Sequence, residues 1–411
     1  MTDLFNAESL TIRLGCDSTA LDTAKPSERI IEITVQAAQS LQTQSRLPLN
    51  IALVIDRSGS MGGEKLPYVQ EAACHVLDRL TDRDQVAVIA FDDEVQVLSP
   101  SVVADTAQRE RLKTAVRRLR PGSSTNLHDG WLNGAAQVAD HMTAESVNSV
   151  LLFTDGAANV GVVDVETLAQ EAKGLRKQRV TTSTFGVGDN FNERVLEPMA
   201  IEGGGHYYYI ATPREIPAIF QRELGELEMV VAREATLDLA IPAGTSVTLT
   251  GDLPHEQTSA RLRIPMNNLF AGETRLFYVK MLTPFGTRGE ELPLEATLSF
   301  APNSGQVQKI TQTLAFVYTE NADAAPRDKA LRERAADIEM AVAATEALHL
   351  EREGKGREAA ALMRRSLAVA APAAPLAAAY ARQADEMEAG LSPEASKAHH
   401  AEASRKRNSR Q

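Results

Sequence analysis

The chain has 411 residues, 43% of them hydrophobic, and a formal net charge of −12. That length supports two or three domains with cores of their own, and the acidic balance argues against a general nucleic-acid binder. Two cysteines, Cys16 and Cys74, are too few to staple a secreted domain and lack metal-ligand spacing. Cys74 and His75 are neighbours on a predicted helix, so they point apart and form no catalytic dyad. The opening MTDLFNAESLTIRLGCDS has neither a basic n-region nor an apolar h-region. No apolar run approaches the roughly 18 residues of a spanning helix. The expectation is a cytoplasmic protein with reduced thiols that contacts neither membrane nor nucleic acid.

In chain order, residues 8–15 and 28–37 read as strands, the second with Ile31, Ile33 and Val35 on one face. From Pro48 strands and helices alternate. LNIALVI is a near-continuous apolar run, as a strand buried on both faces should be. A helix over about 64–80 follows, then QVAVIAF, the turn DDE and a short strand VQVL. Helices are expected over 105–119 and after PGSSTN, the second carrying Trp131. SVLLFT is a strand ending at Asp155. A helix over 165–178, a strand VTTSTFGVG, a short helix near 191–200 and a strand GGGHYYYI come next. Pro213 opens what reads as one long amphipathic helix over 213–233. The expected fold is α/β: a doubly wound, mostly parallel, Rossmann-like sheet with helices on both faces.

Near 234 the alternation stops. ATLDLAI, TSVTLTG, SARLRIP, TRLFYVKML, LPLEATLSF and QVQKITQTLAFVY are short period-2 runs separated by Gly, Pro and Asn, an all-β signature. The strands of residues 1–47 are expected to complete this β-sandwich (233–320), with the α/β domain of 48–232 inserted in it. Residues 326–390 are rich in Ala, Glu and Arg and read as two or three helices broken at EGKG and APAAP. They are expected to serve packing or interaction, since one hairpin makes no solenoid. The polar stretch 391–411 is expected to be a disordered tail whose basic end (Arg405, Lys406, Arg407, Arg410) is solvated.

In an open α/β sheet, ligands bind beyond the carboxyl ends of the strands. Three loops at that edge carry polar groups: Asp56, Ser58 and Ser60 in DRSGS, Thr125 in PGSSTN, and Asp155 in TDG. Hydroxyls and carboxylates are hard oxygen ligands suited to Mg²⁺, Mn²⁺ or Ca²⁺. Three hydroxyls, together with waters held by two aspartates, fill five places of an octahedron. The open sixth place keeps the metal electrophilic toward a partner's Asp or Glu. Asp92, Asp93 and Glu94 read as solvated residues of a hairpin turn. Asp129 reads as a first-turn helix charge. His128 reads as a non-ligand, and Arg57 as a solvated side chain or a contact for a partner's acid. Trp131 reads as core, and Tyr207–Tyr209 as a structural strand pattern with an exposed rim as the second reading.

The set Asp56-x-Ser58-x-Ser60, Thr125, Asp155 resembles the metal-ion-dependent adhesion site of von Willebrand factor type A domains. The resemblance extends over about residues 48–232 through VAVIAFDDEVQVL, GSSTNLHDGW, FTDGAANVG and TTSTFGVGDNFNERVLEPMA. It is nearest to bacterial members of the group similar to calcium-activated chloride channel proteins and inter-alpha-trypsin inhibitor heavy chains. It implies that Ser58, Ser60 and Thr125 touch the metal while Asp56 and Asp155 act mostly through water. It also implies a cytosolic adaptor or assembly factor, with an AAA+ ATPase among the partner classes. Adhesion and channel activity do not carry over, because no leader or anchor is read in the sequence. Walker, zinc-protease, nucleophile-elbow and dinucleotide motifs are absent, so no enzyme is expected. Two alternatives are a metal-dependent phosphoester hydrolase and a structural protein that self-assembles through a metal-bridged contact.

Overall fold

The computed structural model describes residues 10–403 apart from 40–45, 144, 156–159, 188–191, 211, 252, 303–305, 371, 373, 393–394, 397–398 and 401. The basic tail residues Arg405, Lys406, Arg407 and Arg410 lie outside the described residues. The chain divides into two units, residues 43–230 and the remainder on either side of them in sequence.

In chain order the flanking unit begins with β1 (Leu10–Cys16), β2 (Ala20–Asp22) and β3 (Ser27–Ala37). The central unit then runs β4 (Leu49–Asp56), α1 (Lys65–Arg79), β5 (Gln85–Phe91), β6 (Val95–Val103), α2 (Thr106–Arg117), α3 (Leu127–Ala139) and β7 (Val147–Thr154). It continues through α4 (Val165–Lys177), β8 (Thr181–Val187), α5 (Glu193–Gly203), β9 (Gly204–Ile210) and α6 (Ile216–Glu228).

Its six-stranded sheet has the order β6-β5-β4-β7-β8-β9, parallel except for the antiparallel edge strand β6. β4 and β7 are buried at every position, which is why both read as unbroken apolar runs. β4 connects through α1 to β5 on one side, whereas β7 lies on its other side, so the strand order reverses between β4 and β7. Alternate residues of these strands face opposite helical layers. Ala52, Val54, Val150 and Leu152 pack with Trp131 of α3, Leu168 of α4 and Met199 of α5. On the other face Phe153 stacks on Phe220 of α6 at 4.1 Å and on Phe185 at 4.3 Å. The α3 layer lies close to the sheet because Gly134 lacks a side chain: a Cβ there would sit 2.3 Å from Val54 Cγ2. Trp131 is fully buried and donates Nε1–H to Thr182 Oγ1 at 3.1 Å.

Four elements differ from the sequence reading. The long helix expected over 213–233 ends at Glu228, because the β-branched pair Val230-Val231 opens a strand that pairs antiparallel with residues 291–302. The strand after DDE covers nine residues rather than four, its irregular register with β5 blurring the period-2 signal. β2, only three residues long, and the two-residue strand Glu256–Gln257 are too short to leave a periodic signal.

The flanking unit resumes with β10 (Val230–Ala240), β11 (Ser246–Thr250), β12 (Glu256–Gln257), β13 (Arg261–Phe270), β14 (Thr274–Thr283), β15 (Glu291–Pro302) and β16 (Gln308–Thr319). They form two sheets, β1-β3-β14-β11 and β12-β13-β10-β15-β16-β2. Inward residues of both, such as Ile31, Ile33, Val279, Leu237, Leu298 and Phe316, share one core. Helices α7 (Lys329–Arg352), α8 (Gly356–Ala370) and α9 (Ala374–Ala389) follow, with Leu331 and Ala335 of α7 packed on Ile30 and Tyr278. Described residues of the stretch expected to be a disordered tail bond to or pack on the helices. Leu391 donates its N–H to Glu351 Oε1 (3.0 Å), Arg352 bonds Ser396 Oγ (2.8 Å), and Ala403 joins the helical core.

Candidate metal centre

Asp56 ends β4 and Asp155 directly follows β7, so the two carboxylates flank the point where the strand order reverses. The DRSGS loop is shaped by its own side chains. Asp56 Oδ1 accepts the Ser58 N–H at 2.7 Å, an Asx turn that reverses the chain just past the strand. A 3-10 turn over Gly59–Met61 follows, closed by Met61 N–H to Ser58 O at 3.0 Å and anchored by the fully buried Met61. Ser58 Oγ and Ser60 Oγ lie 3.1 Å apart, and Ser60 Oγ donates to Asp155 Oδ1 at 2.7 Å. Ser58 is buried, whereas Ser60 is exposed and opens the cluster to solvent.

Thr125 enters through its loop. Gly122 N–H donates to Arg57 O at 2.6 Å and Gly59 N–H to Ser123 O at 2.8 Å, which stitches residues 122–125 onto the first loop. Thr125 is 3% exposed, and its carbonyl accepts the Val160 N–H at 3.3 Å, tying in the segment beyond Asp155.

The donor set fits a hard divalent cation. In an octahedron with metal–oxygen distances of 2.0–2.1 Å, adjacent ligands lie about 3 Å apart. The hydroxyl–hydroxyl and hydroxyl–carboxylate separations of 3.1 and 2.7 Å bracket that spacing. A lysine ammonium also sits against this set: Lys65 bonds Asp155 Oδ2. Asp56 is fully buried, and burial pushes its carboxyl up to about 6, against the bonds from Thr154 Oγ1 (2.6 Å) and Ser58 that favour the charged form. A nearby dication favours that charged form further.

Among the neighbours, the structure overturns the reading of Asp92. Asp92 is not solvated but 4% exposed. Its carboxylate takes Arg57 Nη2 at 3.0 and 3.1 Å and the Glu94 N–H at 3.1 Å, and its carbonyl accepts the Asn126 N–H at 2.6 Å. Arg57 is thereby held against β5 rather than left in solvent. His128 turns to Glu171 of α4 at 2.8 Å, which ties two helices together. Asp129 sits in the first turn of α3, where it takes the Asn126 amide at 2.8 Å. Tyr207–Tyr209 are half-buried, and Tyr208 stacks on Phe185 at 5.0 Å.

Sequence reasoning missed Thr154 and Lys65. Thr154 is the last strand residue before Asp155, and a hydroxyl closing an otherwise apolar strand was its signal. It also missed a second cluster. His206 of β9 with Glu223 and Glu226 of α6 is, among the described residues, the group of His, Cys, Asp or Glu side chains whose ligand atoms lie within 4.8 Å of one another. Glu223 is buried, yet the neighbouring His206 imidazole and bonds from Ser183 and Tyr208 outweigh that burial and hold its carboxyl below the ordinary value. These residues are far apart in sequence, and only the β9–α6 packing brings them together.

A doubly wound sheet whose reversal point gathers hydroxyls and carboxylates defines an α/β domain with a candidate cation site. Residues 50–222 match the family model of the von Willebrand factor type A domain, and that stretch of the chain is such a domain. The family is one of metal-dependent protein-interaction modules. Over 310 residues the chain is 28% identical to an uncharacterized protein of Synechocystis sp., covering 72% of this chain and 71% of that one. It is 30% identical over 187 residues to the uncharacterized protein YfbK of Escherichia coli, covering 45% of this chain and 32% of YfbK. With inter-alpha-trypsin inhibitor heavy chain H3 of Rattus norvegicus it shares 33% identity over 165 residues, 39% of this chain and 19% of that one. Among solved structures, von Willebrand factor type A from Catenulispora acidiphila superposes with a TM-score of 0.69 at 20% identity over 89% of both chains. The ArnB paralog VWA2 from Sulfolobus acidocaldarius gives 0.66 at 17% identity over 97% of both. The fold thus extends beyond the type A domain to nearly the whole chain.

Proposed function

We propose that the protein is a divalent-cation-dependent protein-binding module, with Mg²⁺ held by Asp56, Ser58, Ser60, Thr125 and Asp155. The observation that carries this reading is the spacing of Ser58 Oγ, Ser60 Oγ and Asp155 Oδ1 at the strand-order reversal. The cation supplies a Lewis-acidic point for a carboxylate. Ser58 and Ser60 offer neutral oxygens to it, and Asp56 and Asp155 offset its charge. The exposed Ser60 side is where a partner's Asp or Glu completes the shell. In the cytoplasm such a module serves as an adaptor or assembly factor rather than an enzyme, with an AAA+ ATPase component as one partner of fitting kind.

Isothermal calorimetry of Mg²⁺ against the full chain and its Asp56→Ala variant tests the reading. The expected result is saturable binding that the substitution weakens at least tenfold. Equal affinity in both proteins, or binding in neither, overturns it.

A further inference from the structure

Lys65 is the first residue of α1, and the helix has no acidic residue in its first turn. A cation there opposes the helix macrodipole, whose N-terminal end is positive. Glu64, at the N-cap, makes no side-chain capping bond that would relieve the position. The ammonium is instead placed by Asp155: Nζ bonds Oδ2, while the carboxylate's other oxygen takes Ser60 Oγ at 2.7 Å. Lys65 is 24% exposed and Asp155 fully buried, so the pair sits at the mouth of the oxygen cluster with the lysine on the solvent side. The loop that delivers it contains Gly63 at φ +75°, a left-handed conformation that glycine adopts freely.

We infer that the Lys65 ammonium is a built-in counter-ion of the metal site, which holds Asp155 and Ser60 in place until a divalent cation displaces it. The inference rests on the metal-binding reading above and adds a residue to it. Two carboxylates against one ammonium leave a single uncompensated negative charge, enough to attract a dication but less than Asp56 and Asp155 alone would supply. A dication beside Asp155 repels the ammonium at a few ångströms, where Coulomb energies remain large even at intermediate dielectric. The metal and Lys65 therefore compete for one carboxylate. The cradle stays assembled without metal, and metal affinity is held down in exchange.

The test uses the full chain with Mg²⁺ alone as the probe. Lys65→Met keeps the apolar stem and removes the charge; Lys65→Arg keeps the charge. Calorimetry is expected to show Lys65→Met binding Mg²⁺ about tenfold more tightly than wild type and Lys65→Arg within about threefold of it. The rise in melting temperature between EDTA and saturating Mg²⁺ is expected to be larger in Lys65→Met by about 3–5 °C. In the wild-type protein, which does not depend on a variant folding, acetylation of Lys65 by an amine-reactive ester followed by peptide mass spectrometry is expected to run several-fold faster in Mg²⁺ than in EDTA. Equal affinities for wild type and Lys65→Met, or a labelling rate unmoved by Mg²⁺ that binds, overturn the Lys65 inference and leave the metal reading intact. Absence of Mg²⁺ binding in both proteins overturns the metal reading and the inference with it.

Discussion

Asp92 is the buried residue that fastens the loops of the candidate metal centre to one another, and its replacement by alanine gives a sharp prediction. Its carboxylate makes two contacts with Arg57 Nη2 at 3.0 and 3.1 Å and one with the Glu94 N–H at 3.1 Å. Hydrogen bonds to a charged group contribute about 1.5–3 kcal/mol, and breaking a buried pair adds the cost of the charge left behind. Arg57 is 23% exposed and can turn toward water, which limits that second cost. The expected loss for Asp92→Ala is therefore about 2 kcal/mol in the stability of the central unit, read by urea denaturation followed by Trp131 fluorescence. Asp93 is the control, being exposed and bonded through its side chain to Ser123. Asp93→Ala is expected to leave the denaturation midpoint nearly unchanged. If Asp92→Ala costs no more than Asp93→Ala, Asp92 is not the fastening residue described here.

Gly134→Ala sets helix propensity against packing: the substitution gains about 1 kcal/mol of intrinsic propensity, but its Cβ would lie 2.3 Å from Val54 Cγ2. Overpacking costs about 1–3 kcal/mol, so a net loss of stability is expected. Gly174→Ala, with nothing within 4 Å, is expected to raise it, and denaturation midpoints distinguish the two. Asp84 is buried and accepts Arg46 (2.6 and 2.7 Å), Leu49 N–H (2.8 Å) and Thr81 N–H (2.7 Å), which outweigh burial and hold its carboxyl below 3.8. A lowered folded value means that stability is present above pH 3.8 and lost as pH falls through the folded value. Asp84→Asn is accordingly expected to cost about 2 kcal/mol at pH 7, with a gap to wild type that closes in denaturation curves as the pH falls through the folded value.

The parts legible in the sequence are those where one local signal decides. Unbroken apolar runs marked β4 and β7 as central strands, with Asp56 and Asp155 of the candidate site at their ends. Period-2 runs marked β10, β11 and β13 to β16, whereas the two-residue β12 carried no such run. Illegible were features set by pairing across the chain. Asp92 sits in a DDE turn, and only the backbone bond from Asn126 and the Arg57 contact bury it. Lys65 looks like any surface lysine until α1 aims it at Asp155, 90 residues away in sequence. The end of α6 was missed because apolar residues continue through Met229 into β10, so hydrophobicity alone gives no boundary.

The central claim is that a divalent cation sits among Asp56, Ser58, Ser60, Thr125 and Asp155. Anomalous diffraction from crystals of the full chain soaked in Mn²⁺ tests it most directly. The account predicts a manganese peak within bonding distance of Ser58 Oγ and Ser60 Oγ, with Lys65 Nζ withdrawn from Asp155. No peak there, or a peak confined to His206, Glu223 and Glu226, would contradict it.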